Sequence, residues 1–367
     1  MRIVFTGGGT AGHITPALAL ADTVKNAYPD ADICFYGGER GLERELVTRA
    51  GYPFYGFCVE GLKRSFTLKN LRVLYHAAQA YRTAKRKLSE HPTALVVGTG
   101  GYVCWPVLQA AFALGIPTAL HESNAVLGFA ARSLVKKVDL MLVNHAETIP
   151  LCKGAKSVHC VGNPIRSDFT SLPKQQAKAS LKLPANSKLI LSFGGSLGAH
   201  ALNHAILDVM HSFSLPHENI YHVHVTGKRG HAAFWEDPRA SALVGQARTV
   251  IHDYLYDLPR YLSAADIVIS RAGAMTLSEI ALTETPAILI PSPNVTGDHQ
   301  TKNATVFEKA GAAKVLPERS LTGKQLSETL SEILFDPYCY HKMRSAVKTL
   351  ATPHANREIL SLLSQFL

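Results

Sequence analysis

Cysteine is sparse and scattered: six residues in 367, at Cys34, Cys58, Cys104, Cys152, Cys160 and Cys339, with no C-x-x-C spacing. That excludes a disulfide scaffold and a cysteine zinc ribbon, and it fits a reducing compartment. No apolar signal-peptide core opens the chain, because Met1-Arg2-Ile3-Val4-Phe5-Thr6 runs straight into glycines. A cytoplasmic home is expected. An unbroken hydrophobic span is missing too. The uncharged stretch 93–120 is long enough to cross a bilayer, yet Gly98, Gly100, Gly101, Pro106, Gln109 and Pro117 interrupt it, which reads as strand, loop and buried helix. Charge is scarce at 18% of residues against 47% hydrophobic, a balance that excludes disorder and supplies one or two apolar cores. At about 150 residues per domain, the length favours two. Lys and Arg number 38 against 28 Asp and Glu, for a formal charge of +10, so an acidic partner is expected.

What is present is one motif used twice. The run Arg2-Ile3-Val4-Phe5 leads into Gly7-Gly8-Gly9-Thr10-Ala11-Gly12-His13 and then Pro16 and an alanine-leucine helix: strand, tight turn, helix, with Thr15 a fitting cap and Pro16 tolerated in a first turn. Leu189–Phe193 leads in the same way into Gly194-Gly195-Ser196-Leu197-Gly198-Ala199 and a second apolar helix. Short β-rich runs at 31–36, 94–98, 117–121, 140–144, 221–226, 266–270 and 287–291 alternate with helical segments. The pattern predicts an α/β protein of two Rossmann-like domains with parallel sheets wound on both faces. Asn163-Pro164 breaks structure ahead of a polar stretch, so the domains are expected at 1–163 and 164–351, with a final helix over about 352–367.

A glycine loop entering a helix lets backbone N–H groups approach phosphate, and the helix dipole favours its charge. Gly7, Gly9 and Gly12 fit G-x-G-x-x-G, so a dinucleotide-dependent oxidoreductase or a nucleotide-sugar epimerase stands as the alternative reading. Against it, the acidic residue expected at the end of the second strand is missing and Glu39 comes late. A third cluster, Gly98-Thr99-Gly100-Gly101-Tyr102, again follows a strand. In the second half, Ser270–Glu279 is another strand-loop-helix junction; the backbone at Ala274, Met275 and Thr276 could face phosphate, and Glu279 could accept paired hydroxyls from a ribose.

Taken in order, 8–13, 98–103, His121-Glu122-Ser123-Asn124, 162–166, 194–199, 271–279 and 298–304 resemble the MurG family of N-acetylglucosaminyltransferases over nearly the whole chain. The resemblance implies the GT-B architecture, two Rossmann-like domains facing a central cleft, with the last helix packing back on the first. It implies inverting transfer of N-acetylglucosamine from UDP-N-acetylglucosamine to the 4-hydroxyl of undecaprenyl-pyrophosphoryl-N-acetylmuramyl pentapeptide. It puts the donor in the second half: Glu279 on the ribose, Ser196 and Ala274 to Thr276 at the diphosphate and uridine, Arg166 beside the donor, Leu255 at the uracil edge, Gln300 and Asn303 at the sugar hydroxyls. The first half, with Thr10, Gly12, Tyr102 and Asn124, takes the acceptor. Ala11, Ser123, Ala125 and Leu197 depart from the residues common at those places.

Such a transfer needs a base for the attacking hydroxyl and a sink for the departing diphosphate. His13 is one candidate base; Glu122, with Asn124, is the other, as base or as the group that polarises His13. No D-x-D stands in a suitable place, since Asp30-Ala31-Asp32 only precedes a strand, and a metal-free, cofactor-free site is expected. The pairs His200/His204 and His222/His224 lack a third ligand at zinc spacing.

Between Leu62 and Ser89 stand eight basic residues and no acidic one: Lys63, Arg64, Lys69, Arg72, Arg82, Lys85, Arg86 and Lys87. Leu71, Leu74, Ala78, Tyr81 and Leu88 recur among them at helical spacing. This is a basic amphipathic helix, expected to touch an anionic membrane through Leu71, Leu74, Tyr81, Arg82, Lys85 and Arg86, peripherally and on the cytoplasmic face of the plasma (inner) membrane. Its charges interleave with aliphatics rather than stacking aromatics, so no nucleic acid is expected.

Overall fold

The computed structural model describes residues 1–39, 43–61, 68–166, 169, 172–195 and 197–367. The chain divides into two compact units, Met1–Arg166 with Thr352–Leu367, and Ser167–Ala351. The division falls three residues beyond the Asn163-Pro164 break, leaving Arg166 in the first unit.

The first unit holds strands β1 (Arg2–Thr6), β2 (Asp32–Gly38), β3 (Phe54–Phe57), β4 (Leu95–Gly98), β5 (Thr118–Glu122), β6 (Leu140–Val143) and β7 (Val158–Cys160). They form one parallel sheet in the order β3-β2-β1-β4-β5-β6-β7. The second holds β8 (Lys188–Phe193), β9 (Ile220–Val225), β10 (Thr249–His252), β11 (Ile267–Ser270), β12 (Ala287–Leu289) and β13 (Ala313–Val315), in the order β10-β9-β8-β11-β12-β13, again parallel. Each is a doubly wound sheet whose strand order reverses beside its first strand, between β1 and β4 and between β8 and β11. Ligand crevices of such sheets lie at that reversal, outside the strands' carboxyl ends.

Parallel strands buried on both faces must be apolar almost without alternation, and β1 shows why the run Ile3-Val4-Phe5 is continuous. Ile3 and Phe5 pack with Ile14, Ala17 and Leu20 of helix Ala11–Ala27. Val4 points the other way, into a cluster with Ala84 and Leu88 of helix Leu68–Glu90 and Val107 and Leu108 of helix Cys104–Ala113. All three strand residues are fully buried, each contributing about 1.5–3 kcal/mol. The C-terminal helix Ala355–Leu363 joins the first of these clusters through Ile359 and Leu363. Its Asn356 amide accepts from Ile165 N at 2.9 Å and donates to Ile165 O at 3.0 Å and Thr23 Oγ1 at 2.9 Å, tying Ile165 to helix Ala11–Ala27. Among the described residues no helix is long and apolar enough to cross a membrane.

Candidate active site

At the first unit's reversal, the loops after β1 and β4 are built onto one another. Gly8 N donates to Gly100 O at 3.3 Å, and Thr99 Oγ1 donates to the His13 carbonyl at 2.7 Å. A Cβ on Gly101 would come within 1.9 Å of Gly8 O, and its φ of +84° is one that side chains resist, so glycine is required there. The half-buried His13 ring is fixed through Nδ1, 3.1 Å from Gly8 O and 3.1 Å from Thr10 Oγ1. A carbonyl can only accept, so Nδ1 carries the proton and the neutral ring has its lone pair on Nε2. Gly12 is exposed, and the half-exposed Tyr102 lays its ring against Gly9. Burial, then Glu43 and Glu60, push the Tyr102 phenol pKa up, so its hydroxyl stays a donor at neutral pH.

Glu122 ends β5, two strands from β1 and therefore about 10 Å across the sheet. Its carboxylate is 5% exposed and fully engaged in its own loop: Oε1 accepts from Asn124 N at 3.1 Å and Asn124 Nδ2 at 2.9 Å, and Oε2 from Gly128 N at 2.8 Å. Glu122 thus shapes 123–128 and sets the Asn124 side chain. The neighbouring His121 is wholly buried, 2.9 Å from Gly162 O, and burial pushes its pKa down to about 4.

At the second unit's reversal, the loop after β8 turns through Gly195, where a Cβ would meet nothing within 4 Å, and Gly198, where it would lie 2.0 Å from Thr226 O at a φ of +84°. Asn203, in helix His200–Val209, donates to Thr226 O at 3.0 Å and holds this loop against the one after β9. Ser196 lies outside the described residues. Across the reversal, Gly273 precedes helix Ala274–Leu282, whose first-turn N–H groups at Ala274, Met275 and Thr276 lack intrahelical acceptors by construction. Glu279, one and a half turns in, is 8% exposed. Arg271 is committed elsewhere, with Nη1 donating to Ile290 O at 3.1 Å and Nη2 paired to Glu318. Asn303 is fully buried and donates to Ala272 O at 3.2 Å; Gln300 accepts from Ser292 N at 2.9 Å. Both therefore set backbone around the junction. Leu255 follows β10, beside Tyr254 and Tyr256, whose rings sit 4.7 Å apart with Lys228 5.1 Å over Tyr254. Arg166 is exposed at the end of the first unit.

Helix Leu68–Glu90 buries Val73, Ala80, Ala84 and Leu88 along one face. The opposite face exposes Leu71 (64%), Leu74 (55%) and Tyr75 (60%) together with Arg72, Arg82, Lys85 and Arg86. Leu88 and the half-buried Tyr81 belong to the packed side, and Lys87 lies 4.6 Å over the Tyr55 ring. Lys63 and Arg64 lie outside the described residues, as does the Lys69 side chain. The sequence missed Tyr75 on the open face, the Arg271 clamp, and Glu43, whose buried carboxylate accepts from Gly9 N at 2.8 Å. Among the described residues no three His, Cys, Asp or Glu side chains could share a metal ion.

Residues 3–143 match the glycosyltransferase family 28 N-terminal domain and residues 189–359 the family 28 C-terminal domain. Over its full length the chain is 36% identical to the UDP-N-acetylglucosamine–N-acetylmuramyl-(pentapeptide) pyrophosphoryl-undecaprenol N-acetylglucosamine transferase of Desulforudis audaxviator, covering 98% of that protein. It is 38% identical to the protein of the same name from an Exiguobacterium species, covering 99% of it. The crystal structure of Acinetobacter baumannii MurG superposes with a TM-score of 0.77 at 25% identity, over 99% of both chains. The Staphylococcus aureus MnaA–UDP structure shares the fold at a TM-score of 0.70 and 13% identity, over 100% of this chain and 97% of that one.

Proposed function

The chain belongs to glycosyltransferase family 28, within the MurG transferases, and on that premise we propose that it carries N-acetylglucosamine from UDP-N-acetylglucosamine to the 4-hydroxyl of the undecaprenyl-linked muramyl pentapeptide, with inversion at the sugar. The observation that carries the reading is the pair of differently equipped reversal sites. The first presents an imidazole whose lone pair is directed to Nε2; the second presents a glycine loop with open space over Gly195, a helix start, and a buried carboxylate at Glu279.

In this mechanism the 4-hydroxyl loses its proton to His13 Nε2 as its oxygen bonds the anomeric carbon. The bond from that carbon to the UDP oxygen breaks, and its electron pair leaves on the diphosphate. The first-turn N–H groups of helix Ala274–Leu282 receive that charge, aided by the helix dipole, with Arg166 as a cation for the donor. Glu279 binds the ribose hydroxyls, Leu255 backbone the uracil edge, and Ser196 the diphosphate. Gln300 and Asn303 support the sugar pocket through the backbone they hold. With both carboxylate oxygens engaged, Glu122 acts as the shaper of the Asn124 loop, and His13 is the better base. Thr10, Gly12 and Tyr102 border the acceptor's place.

The acceptor's lipid fixes where the enzyme works. The open face of helix Leu68–Glu90 sets Leu71, Leu74 and Tyr75 beside Arg82, Lys85 and Arg86, which suits peripheral binding to an anionic bilayer at about 1 kcal/mol per basic residue plus the apolar contribution. The test is product analysis with a short-chain analogue of the lipid acceptor. A β-linked disaccharide formed from the α-linked donor is expected; free N-acetylglucosamine alone would contradict the transfer.

A further inference from the structure

Glu43 opens helix Glu43–Arg49 and is 1% exposed. Its carboxylate reaches across 34 positions of sequence to accept from Gly9 N at 2.8 Å. The slot it enters is lined by glycines: a Cβ on Gly8 would lie 2.0 Å from Glu43 Oε1, and one on Gly38 3.1 Å from it. The N–H of Gly9 and the C=O of Gly8 belong to one planar peptide group. That plane is therefore gripped at both ends, by Glu43 on its N–H and by the His13 Nδ1–H on its carbonyl.

We propose that Glu43 is a positioning residue for His13, acting through the Gly8–Gly9 peptide. A carboxylate on the N–H end polarises the peptide and strengthens its carbonyl as an acceptor. The carbonyl in turn holds the imidazole tautomer with its lone pair on Nε2 and favours the protonated ring once the substrate's proton arrives. The arrangement does the work of a carboxylate bonded directly to a catalytic imidazole, with one peptide interposed.

The inference rests on His13 being the base, and its test separates the two. Glu43→Gln keeps an oxygen for Gly9 N and removes the charge. Expected are a kcat lowered by about tenfold, a donor KM unchanged within about twofold, and an acid limb of the kcat profile moved down by about half a pH unit or more. In a His13→Ala background the same substitution should add no further loss. An equal loss in both backgrounds, or an unmoved acid limb, would overturn the relay. A His13→Ala enzyme with full rate would instead remove His13 as base, a failure of the proposed function rather than of the Glu43 contact. If Glu43→Gln fails to fold, Glu43→Asp, which retracts the charge by one methylene, should still lower kcat without raising donor KM, and a wild-type kcat would overturn the relay.

Discussion

Acid should unfold the second unit ahead of the first, because two histidines are sealed inside it. His222 and His224 are both 0% exposed on β9. Ser192 Oγ lies 2.8 Å from His222 Nε2 and 2.8 Å from His224 Nδ1, while Ser214 Oγ lies 2.8 Å from His222 Nδ1. His224 Nδ1 also meets Ser192 O at 3.1 Å and must be its protonated nitrogen; Nε2 has no partner. The hydrogens run in one direction, from His224 to Ser192 to His222 to Ser214, and neither ring has an acceptor ready for another proton. Burial accordingly pushes the His224 pKa down to about 3, and burial, then the neighbouring His224, lowers that of His222 well below its ordinary value.

Both folded-state values lie below the unfolded one of about 6.5, so the unfolded chain binds more protons and stability falls as pH drops below that value. Between pH 7.5 and 5 each ring costs about 2 kcal/mol, about 4 for the pair. His121 adds about 2 in the first unit, its pKa being pushed down to about 4. The two tryptophans allow the units to be followed separately, Trp105 in the first and Trp235 in the second. Urea unfolding of Trp105→Phe protein, read from Trp235, should lose about 4 kcal/mol over that pH interval, and about half as much in His224→Gln. A loss below about 1 kcal/mol, or one untouched by His224→Gln, would refute the reasoning.

Gly101→Ala, which sets a Cβ 1.9 Å from Gly8 O, should lower kcat while leaving UDP affinity by calorimetry unchanged. Gly198→Ala, 2.0 Å from Thr226 O, should do the reverse and weaken UDP binding. Glu279→Gln should raise the donor KM by about tenfold or more, as expected for a lost charged hydrogen-bond acceptor of about 1.5–3 kcal/mol, with acceptor KM unaffected. Replacing Arg82, Lys85 and Arg86 together by Gln should reduce sedimentation with anionic vesicles by about two orders of magnitude at constant UDP affinity; undiminished binding would remove that face from the membrane account.

The alternation of apolar runs and helical stretches carried the two sheets, because a strand buried on both faces leaves a continuous hydrophobic run. It missed β3, β7, β10 and β13. All four are edge strands, three or four residues long with exposed or half-buried positions, so their sequences carry little pattern. The helix over 68–90 was legible as amphipathic, but spacing alone cannot tell which of two apolar stripes meets the sheet. Leu88 and Tyr81 turned inward while Tyr75 joined Leu71 and Leu74 outside. Glu43 gave no signal, since its function depends on a contact with Gly9 from 34 residues away. Asn303 has the residue type of a ligand donor, yet burial commits its donated bond to Ala272 O. Only the fold reveals such commitments.

The most direct measurement is UDP release from UDP-N-acetylglucosamine in EDTA, with and without a short-chain analogue of the undecaprenyl-linked muramyl pentapeptide. Release that depends on the acceptor and persists in the chelator is the predicted result. Release indifferent to the acceptor, or no release from protein that binds the donor, would contradict the transferase account.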